Sequence, residues 1–278
     1  MFELSSEQFE KLTRKIYSQL GLQFEENKSY FLQKRVEKRM EKLGVDDPGK
    51  YLFMICYADP DGLEMQALAN LITTNETYMF REYEQLAAFA DYCLPEVLSN
   101  KEDRGERTLR IWSAGCASGE EPYTLAIILR EVFPQSQFWD CGIVGTDIDQ
   151  NVLNQAARAR YGSRSVAEVP PEYLARHFIP NGGSSYTVRP STAALVSLEH
   201  LNLNDRTAMR AMKNFDFVFC RNVLIYFDDR SRKMVVDHFY NALNSGGYIF
   251  LGHSESVGRI STAFKLRRFG PHLVYVKE

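Results

Sequence analysis

The sequence lacks long apolar runs and any cysteine pattern typical of a disulfide framework or a zinc site. Its 5 cysteines are scattered among 278 residues, and they form no C-x-x-C pair and no cluster with histidine. No apolar stretch approaches the roughly 18 residues of a membrane span. We therefore expect reduced thiols, no structural metal and no transmembrane helix. The five cysteines are Cys56, Cys93, Cys116, Cys141 and Cys220.

An excess of positive charge and an N-terminal targeting pattern are also lacking. The chain has 33 lysines and arginines against 36 aspartates and glutamates, a net charge of -3. Global electrostatics thus give no support to a nucleic-acid partner. The first residues are acidic and show no basic-then-apolar signal pattern, so we expect a cytoplasmic protein. With 45% hydrophobic residues, the chain is long enough for one large or two ordinary domains with a substantial core.

The pattern of apolar residues changes near residue 85. Residues 1–85 contain only helical periodicity, including a helix over Ser5–Leu20 that Gly21 ends and a second over about 27–43 that Gly44 ends. Further along, continuous apolar strands alternate with helices, which predicts an α/β domain whose mostly parallel sheet is covered on both faces. The predicted strands are Leu109–Trp112, Cys141–Gly145, Phe215–Cys220, Tyr248–Gly252 and His272–Lys277.

A glycine-rich insertion interrupts this alternation. Asn181-Gly-Gly-Ser-Ser precedes two short alternating runs, Tyr186–Arg189 and Leu195–Leu201. Such a turn beside alternating runs predicts a small antiparallel β-subdomain at about residues 180–201.

Ligands of open α/β sheets bind beyond the carboxyl ends of the strands, and the first candidate segment there is Trp112–Tyr123. Gly115 and Gly119 permit a tight turn and a close approach to a ligand. The segment is not the G-x-G-x-x-G of dinucleotide enzymes. Glu120 and Glu121 would repel a pyrophosphate but tolerate a cationic ligand, and favourable placement at a helix dipole explains either acid equally well.

Two further segments follow the next strands. Asp147 stands where a carboxylate can accept both hydroxyls of a ribose, whereas Asp149 suits the N-cap of the following helix. The strand Phe215–Cys220 delivers Arg221 and Asn222 to the same edge. Burying such a pair without a ligand would require internal partners, which favours a role in the site.

The fourth segment, 71–82, lies outside the predicted sheet. Thr73-x-x-Glu76 could be an ordinary capping box. Thr77 and Arg81 are four residues apart, so on a helix they would share a face.

Together the segments resemble the chemotaxis receptor methyltransferases, or CheR-type proteins. The motifs stand in family order along nearly the whole chain: Thr-Thr-Asn-x-Thr-x-x-x-Arg-Glu, Trp-Ser-Ala-x-x-x-x-Gly-Glu-Glu-Pro-Tyr, Asp-Ile-Asp, Cys-Arg-Asn-Val-x-Ile-Tyr-Phe and Gly-His-Ser-Glu. The Asn-Pro-Pro-aromatic segment of amino-group methyltransferases is absent, which further disfavours a nucleic-acid enzyme.

The resemblance implies an all-α domain over residues 1–85 and a class I methyltransferase (Rossmann-like) domain over residues 86–278. It implies S-adenosylmethionine as methyl donor, S-adenosylhomocysteine as product and no metal. The acceptors would be glutamate carboxylates of methyl-accepting chemotaxis receptors. Carried over by position, the cofactor site is Asn75, Thr77, Arg81, Glu121, Asp147, Asn202, Leu203, Arg221 and Asn222. Arg81 and Tyr226 would lie near the transferred methyl as the catalytic pair.

The second predicted helix carries basic residues along one flank. By pattern alone, this is the solvated face of an amphipathic helix. The family resemblance instead implies contact with acidic receptor helices through Arg35, Lys38 and Arg39.

Two other functions stay open from the sequence: a methyltransferase of the same fold acting on another signalling protein or carboxylate, and a non-catalytic S-adenosylmethionine sensor. Family members that hold a C-terminal receptor tether carry a longer glycine-containing loop in the β-subdomain insertion. Here that stretch is about three residues shorter, so we predict no docking of such a tether by β-augmentation.

Overall fold

The computed structural model describes residues 4–253, 255 and 261–278. Ser254 of the Gly-His-Ser-Glu motif lies outside the described residues. Within them the chain forms a group of helices followed by an α/β fold, which confirms the predicted fold class.

The N-terminal part is helical, as the periodicity predicts. Its helices are α1 (Ser6–Leu20), α2 (Ser29–Leu43), α3 (Pro48–Tyr57) and α4 (Leu63–Ile72), with a short 3₁₀ turn at Glu26–Lys28 before α2. A capping box starts α1: the Ser5 hydroxyl accepts from the Gln8 backbone N–H, and the Gln8 side chain accepts from the Ser5 N–H. The predicted stops are confirmed, since Gly21 and Gly44 both adopt the left-handed conformation that ends a helix.

The α/β part contains eight helices and ten strands among its described residues. The helices are α5 (Tyr83–Ala88), α6 (Leu94–Asp103), α7 (Glu120–Val132), α8 (Gln150–Ala156), α9 (Pro171–His177), α10 (Pro190–Ala193), α11 (Arg206–Ala211) and α12 (Asp229–Ala242). The strands are β1 (Thr108–Ala114), β2 (Asp140–Asp147), β3 (Arg160–Gly162), β4 (Phe178–Pro180), β5 (Ser185–Val188), β6 (Val196–His200), β7 (Phe215–Cys220), β8 (Leu243–Leu251), β9 (Lys265–Phe269) and β10 (His272–Val276). A π-helical turn, Phe89–Cys93, joins α5 to α6.

The main sheet has the strand order β6-β2-β1-β7-β8-β10-β9 in the described residues. The five strands from β6 to β8 run parallel, and β10 and β9 complete the sheet antiparallel. The carboxyl ends of β2, β1 and β7 therefore lie side by side, which brings the loops after them together.

Helices cover both faces of the main sheet. Phe217 and Phe219 of β7 face one core, which they share with α5, α6 and α7. Val218 and Cys220 face the other core, which contains α12 and the buried residues of all four N-terminal helices. Because that core is continuous, the helical domain is packed directly against the α/β domain.

The β-subdomain differs from its predicted extent. Its sheet has the order β3-β5-β4. The glycine-rich turn at 181–184 joins β5 to β4, a strand that was not predicted, and the third strand comes from residues 160–162. The run Leu195–Leu201 was expected in this subdomain, and that prediction is wrong. It forms β6, which pairs parallel with β2 at the edge of the main sheet. The domain division at residue 85 stays a prediction.

All five cysteines are unpaired. Burial raises the pKa of the Cys93 thiol to about 12 and the pKa values of the Cys116 and Cys220 thiols well above their ordinary value. These three side chains are therefore neutral core residues at pH 7. No helix in the described part of the chain is long and apolar enough to cross a membrane.

Candidate active site

The loop after β1 forms the first side of the site. Gly115 adopts a φ of +77° and Gly119 a φ of +92°, a region that favours glycine. A Cβ on Gly115 would collide with a methyl group of Val223. The N–H groups of Gly115 and Cys116 both donate to the carbonyl oxygen of Thr146, at 2.7 and 2.9 Å. The turn is thereby fixed against the end of β2.

Asp147 ends β2 and is 7% exposed. Its Oδ2 accepts from the Ala117 N–H at 2.8 Å and its Oδ1 from the Asp149 N–H at 2.9 Å. Desolvation by burial raises the pKa of the Asp147 carboxyl, and the backbone donors oppose that rise. Each oxygen keeps a second lone pair for a ligand. Asp149 caps α8 by accepting from the Asn151 N–H, so its predicted capping role is confirmed.

Arg221 forms an ion pair with Glu121 between the loops after β7 and β1. Its Nε donates to Glu121 Oε2 at 2.6 Å, and its Nη1 donates to the carbonyl oxygen of Arg81 at 2.6 Å. The Ser113 hydroxyl donates to the other oxygen of Glu121. Arg221 thus has internal partners, and its burial alone does not require a ligand. Asn222 has a φ of +61°, which turns the chain sharply along the rim of the site.

The segment 73–82 contains no helix, so the expectation that Thr77 and Arg81 share a helical face is wrong. Thr73 ends α4 and its hydroxyl donates back to the Ala69 carbonyl, so the capping box does not form. Tertiary hydrogen bonds hold the segment over the sheet edge, where residues 79–82 form a turn with positive φ at Phe80 and Glu82. The Asn75 amide donates to Asp149, and the Met79 N–H donates to the Ser165 carbonyl.

One cavity lies between these loops. Every residue predicted for the cofactor or the methyl lines it: Asn75, Thr77, Arg81, Glu121, Asp147, Asn202, Leu203, Arg221, Asn222 and Tyr226. The structure therefore brings the whole predicted set together, and the individual roles stay predictions. Glu120 does not line this cavity; it is buried and accepts a hydrogen bond from the Ser118 hydroxyl.

The helical domain closes one side of the cavity through residues that no motif contains. Leu20 and Leu22 line it beside Phe227. An isolated bridge joins Leu22 to Phe227, and the Asn202 side-chain amide donates to the Gln19 carbonyl at 2.8 Å. No local signal marks Leu20 or Leu22, because both read as ordinary core residues at a helix end. Ala117 and Val223 also line the cavity, and their positions inside quoted motifs could have identified them.

The predicted receptor-binding flank of α2 is only partly exposed. Lys38 is exposed. Arg35 is half-buried: its Nε donates to the Leu71 carbonyl at 3.1 Å. Arg39 is 8% exposed and forms a bidentate ion pair with Glu64 at 2.9 and 2.6 Å, and its contact with a receptor stays a prediction. Its charge is neutralised inside the helical domain.

Two family models match almost the whole chain. Residues 7–73 match the all-alpha domain of CheR methyltransferases, and residues 75–270 match the S-adenosylmethionine-binding domain of the same enzymes. The chain belongs to the CheR methyltransferase family. The predicted family and the cofactor S-adenosylmethionine are thereby confirmed.

Relatives of similar length agree with this family. Chemotaxis protein methyltransferase 2 of Vibrio cholerae is 38% identical over 261 residues, which cover 94% of this chain and 89% of the relative. Chemotaxis protein methyltransferase Cher2 of Pseudomonas putida is 33% identical over 260 residues, covering 92% of each chain. Chemotaxis protein methyltransferase 1 of Pseudomonas aeruginosa has the same identity and coverage.

The groups lining the cavity fit the methyl donor of this family. A buried carboxylate with a free lone pair on each oxygen suits the adjacent hydroxyls of a ribose. Leu20, Leu22 and Leu203 supply apolar surface for an aromatic base. The turn at Gly115 lets the backbone approach the ligand closely, because no side chain stands between them. Nowhere in residues 4–253, 255 and 261–278 do three or more histidine, cysteine or acidic side chains form a metal-binding group.

Proposed function

We propose that this protein transfers the methyl group of S-adenosylmethionine to glutamate side chains of methyl-accepting chemotaxis receptors, giving glutamate methyl esters. The observation that carries the proposal is the convergence of the family's motif residues on one cavity between the helical and α/β domains. The relatives are named chemotaxis protein methyltransferases, which supports a role in chemotaxis. We place the reaction in the cytoplasm, where five unpaired thiols remain reduced.

The proposed reaction needs little acid–base chemistry. S-adenosylmethionine, when bound, supplies an electrophilic methyl group with a neutral leaving group. A glutamate carboxylate has an ordinary pKa of about 4.3 and is already ionised at pH 7. The protein therefore requires no general base, and its contribution is to hold the carboxylate oxygen in line with the methyl carbon and to exclude water.

Arg81 and Tyr226 are the side chains we assign to this alignment. The carbonyl of Arg81 accepts from Arg221, while the guanidinium donates to the Glu76 carbonyl at 2.9 Å and lies over the Tyr78 ring. Both Arg81 and Tyr226 line the cavity. Arg81 would orient the incoming carboxylate, and too tight a contact would stabilise the ground state without raising the rate.

Receptor recognition is assigned to the exposed basic face of α2. Lys38 and Lys42 are both exposed and four residues apart, so they lie on one side of the helix. Arg35 lies in the same region of α2. It is half-buried, and its hydrogen bond to the Leu71 carbonyl also joins α2 to α4. Acidic receptor helices would complement this charge, and the attraction should weaken with salt.

We propose further that no C-terminal receptor tether docks on the β-subdomain. The hairpin between β4 and β5 is short, with only residues 181–184 in its turn. A short hairpin offers a tether little surface beside its edge strands. Without a tether the effective receptor concentration is not raised, so recognition depends on α2.

The test is methyl transfer from radiolabelled S-adenosylmethionine to a purified receptor cytoplasmic fragment, followed by peptide mapping. Base-labile label on glutamate is expected. Label only on another protein or residue type would establish a different acceptor. Binding of the cofactor without turnover on any receptor would indicate a sensor.

A further inference from the structure

A second groove opens beside the cofactor cavity, between the helical domain and the loop after β7. Its outer part is lined by Gln23, Phe24, Lys28 and Phe31. Leu22, Thr73, Thr74 and Tyr226 line both the groove and the cofactor cavity. The groove is therefore a path from the surface near α2 to the place where the methyl group would lie.

Two aromatic rings form the apolar wall of this groove. The Phe24 and Phe31 rings stack with their centroids 6.3 Å apart and an interplanar angle of 15°. The Arg35 guanidinium lies 4.2 Å from the centroid of the Phe31 ring, while its Nε donates to the Leu71 carbonyl. Arg35 thus ties the aromatic wall to the end of α4, directly before the shared threonines.

Polar groups occupy the outer and inner ends of the groove. At the outer end Lys28 is exposed, and no carboxylate of the described residues lies within 4.0 Å of its ammonium. At the inner end Tyr226 faces both spaces, and its hydroxyl makes no hydrogen bond within the described part of the chain. The groove therefore combines an apolar middle with groups at both ends that suit an anion.

We propose that this groove receives the acceptor glutamate of the substrate protein. Its two methylenes lie against Phe24 and Phe31, its carboxylate reaches Tyr226, and Lys28 attracts the acidic segment around it. The inference rests on the proposed function and names the residues that contact the acceptor. Arg35 is a positioning residue here, because it holds the Phe31 wall.

The chemical step is balanced without a further reactant. The acceptor oxygen forms the bond to the methyl carbon as the carbon–sulfur bond breaks, and that electron pair stays on sulfur. The carboxylate loses its negative charge, the sulfonium loses its positive charge, and no proton moves. An apolar wall suits a reaction whose two charges cancel, because it excludes water from the site.

The test compares steady-state kinetics on a receptor cytoplasmic fragment with calorimetric binding of S-adenosylhomocysteine. In Phe24→Ala and Phe31→Ala we expect kcat/KM for the receptor to fall at least ~10-fold, the usual effect of losing an apolar contact in a substrate pocket. The dissociation constant for S-adenosylhomocysteine should stay within about twofold. Phe53→Ala is the matched control, since Phe53 forms a similar ring pair with Tyr57 on the exposed side of α3.

A filling variant keeps the test decisive if an alanine variant fails to fold. Gln23 is exposed and lines the groove but not the cofactor cavity. Gln23→Trp should therefore prevent methylation of the receptor and leave the binding of S-adenosylhomocysteine unchanged. Lys28→Glu should raise the receptor KM, with a smaller effect at high salt. Lys213→Glu is its control, because Lys213 is exposed and lines neither the groove nor the cofactor cavity.

Two results would overturn the inference about the groove. One is a receptor kcat/KM within twofold of wild type in folded Gln23→Trp and Phe24→Ala. The other is an equal loss of S-adenosylhomocysteine affinity, which would make the groove part of the cofactor site. A wild-type enzyme that forms no glutamate ester on any receptor fragment would instead overturn the proposed function, and this inference with it.

Discussion

Replacing Asp147 by asparagine removes one negative charge from the cofactor cavity while keeping the shape of the side chain. The wild-type carboxylate accepts from the N–H groups of Ala117 and Asp149 and has further acceptor capacity toward the cavity. An asparagine oxygen can replace only one carboxylate oxygen. The amide nitrogen would face a backbone donor and could no longer accept from a hydroxyl of the ligand.

The expected loss of affinity follows from these contacts. A hydrogen bond to a charged group contributes ~1.5–3 kcal/mol, and a buried partner left unpaired costs ~1–3 kcal/mol. The amide oxygen of Asp147→Asn would still accept from one hydroxyl, so we expect binding of S-adenosylhomocysteine to weaken by ~1–3 kcal/mol, or about 5- to 150-fold. The free energy of unfolding should fall by less than the free energy of binding, because removing the buried charge also removes its desolvation cost.

The pH dependence gives a second observable. Burial raises the pKa of the Asp147 carboxyl above its ordinary value of 3.8. Wild-type affinity should be constant near neutrality and fall as acidification passes through this raised pKa, because the protonated carboxyl loses its charge and an acceptor. The stability of the fold has the opposite pH dependence. The contribution of the Asp147 carboxyl to the free energy of unfolding is greatest below its unfolded-state pKa, and it declines as the pH rises through its folded-state pKa.

The assay is calorimetric titration with S-adenosylhomocysteine over a range of pH. Asp216→Asn is the control, because Asp216 is similarly buried and accepts from the Arg110 N–H at the opposite end of the strands. It should lose stability through its broken pair with Lys101 and keep its ligand affinity. An unchanged dissociation constant in folded Asp147→Asn would refute the ribose assignment.

Four further outcomes follow from the same geometry. Arg81→Ala and Tyr226→Phe should each lower kcat at least ~10-fold by misaligning the acceptor, with little change in calorimetric cofactor affinity; wild-type turnover would contradict this. Lys38→Glu should reduce receptor methylation most at low salt. A rate that does not depend on salt in either the wild type or Lys38→Glu would show that α2 does not bind the receptor through its charge. Arg39→Met should instead lower the free energy of unfolding by ~3–5 kcal/mol, because Glu64 is left buried without a counter-charge, with the Tyr51 hydroxyl still donating to it; denaturant titration measures this, and a stable variant would refute it. Receptor C-terminal pentapeptides should show no micromolar binding by calorimetry, and such binding would disprove tether-free recognition.

The main elements of the fold were predictable because their signals are local. Phe215–Cys220 forms β7 with the predicted bounds. A strand buried on both faces is mostly apolar, and a helix on a sheet carries apolar residues at helical spacing. Asp147, Arg221 and Asn222 were predictable for a related reason, since neighbouring parallel strands end at the same edge. The other cofactor residues were implied by the family resemblance.

Strand partners were harder to predict. Leu195–Leu201 has the alternation of a strand, and nothing in that alternation distinguishes an antiparallel partner in the β-subdomain from the parallel partner β2. The strand β9 was missed because Lys265, Arg267 and Arg268 interrupt its apolar pattern, as is common on an edge strand.

The apolar periodicity and the turn glycines were enough to predict the two-part architecture. The motifs implied the cofactor and the residues of its site through the family resemblance. Tertiary structure alone decided that Arg39 is neutralised by Glu64, that residues 73–82 are not helical, and that Phe24 and Phe31 border a groove reaching Tyr226. The physical reason is distance along the chain. A helical wheel shows which side of α2 is charged, but the free energy of burying a charge depends on a partner 25 residues away.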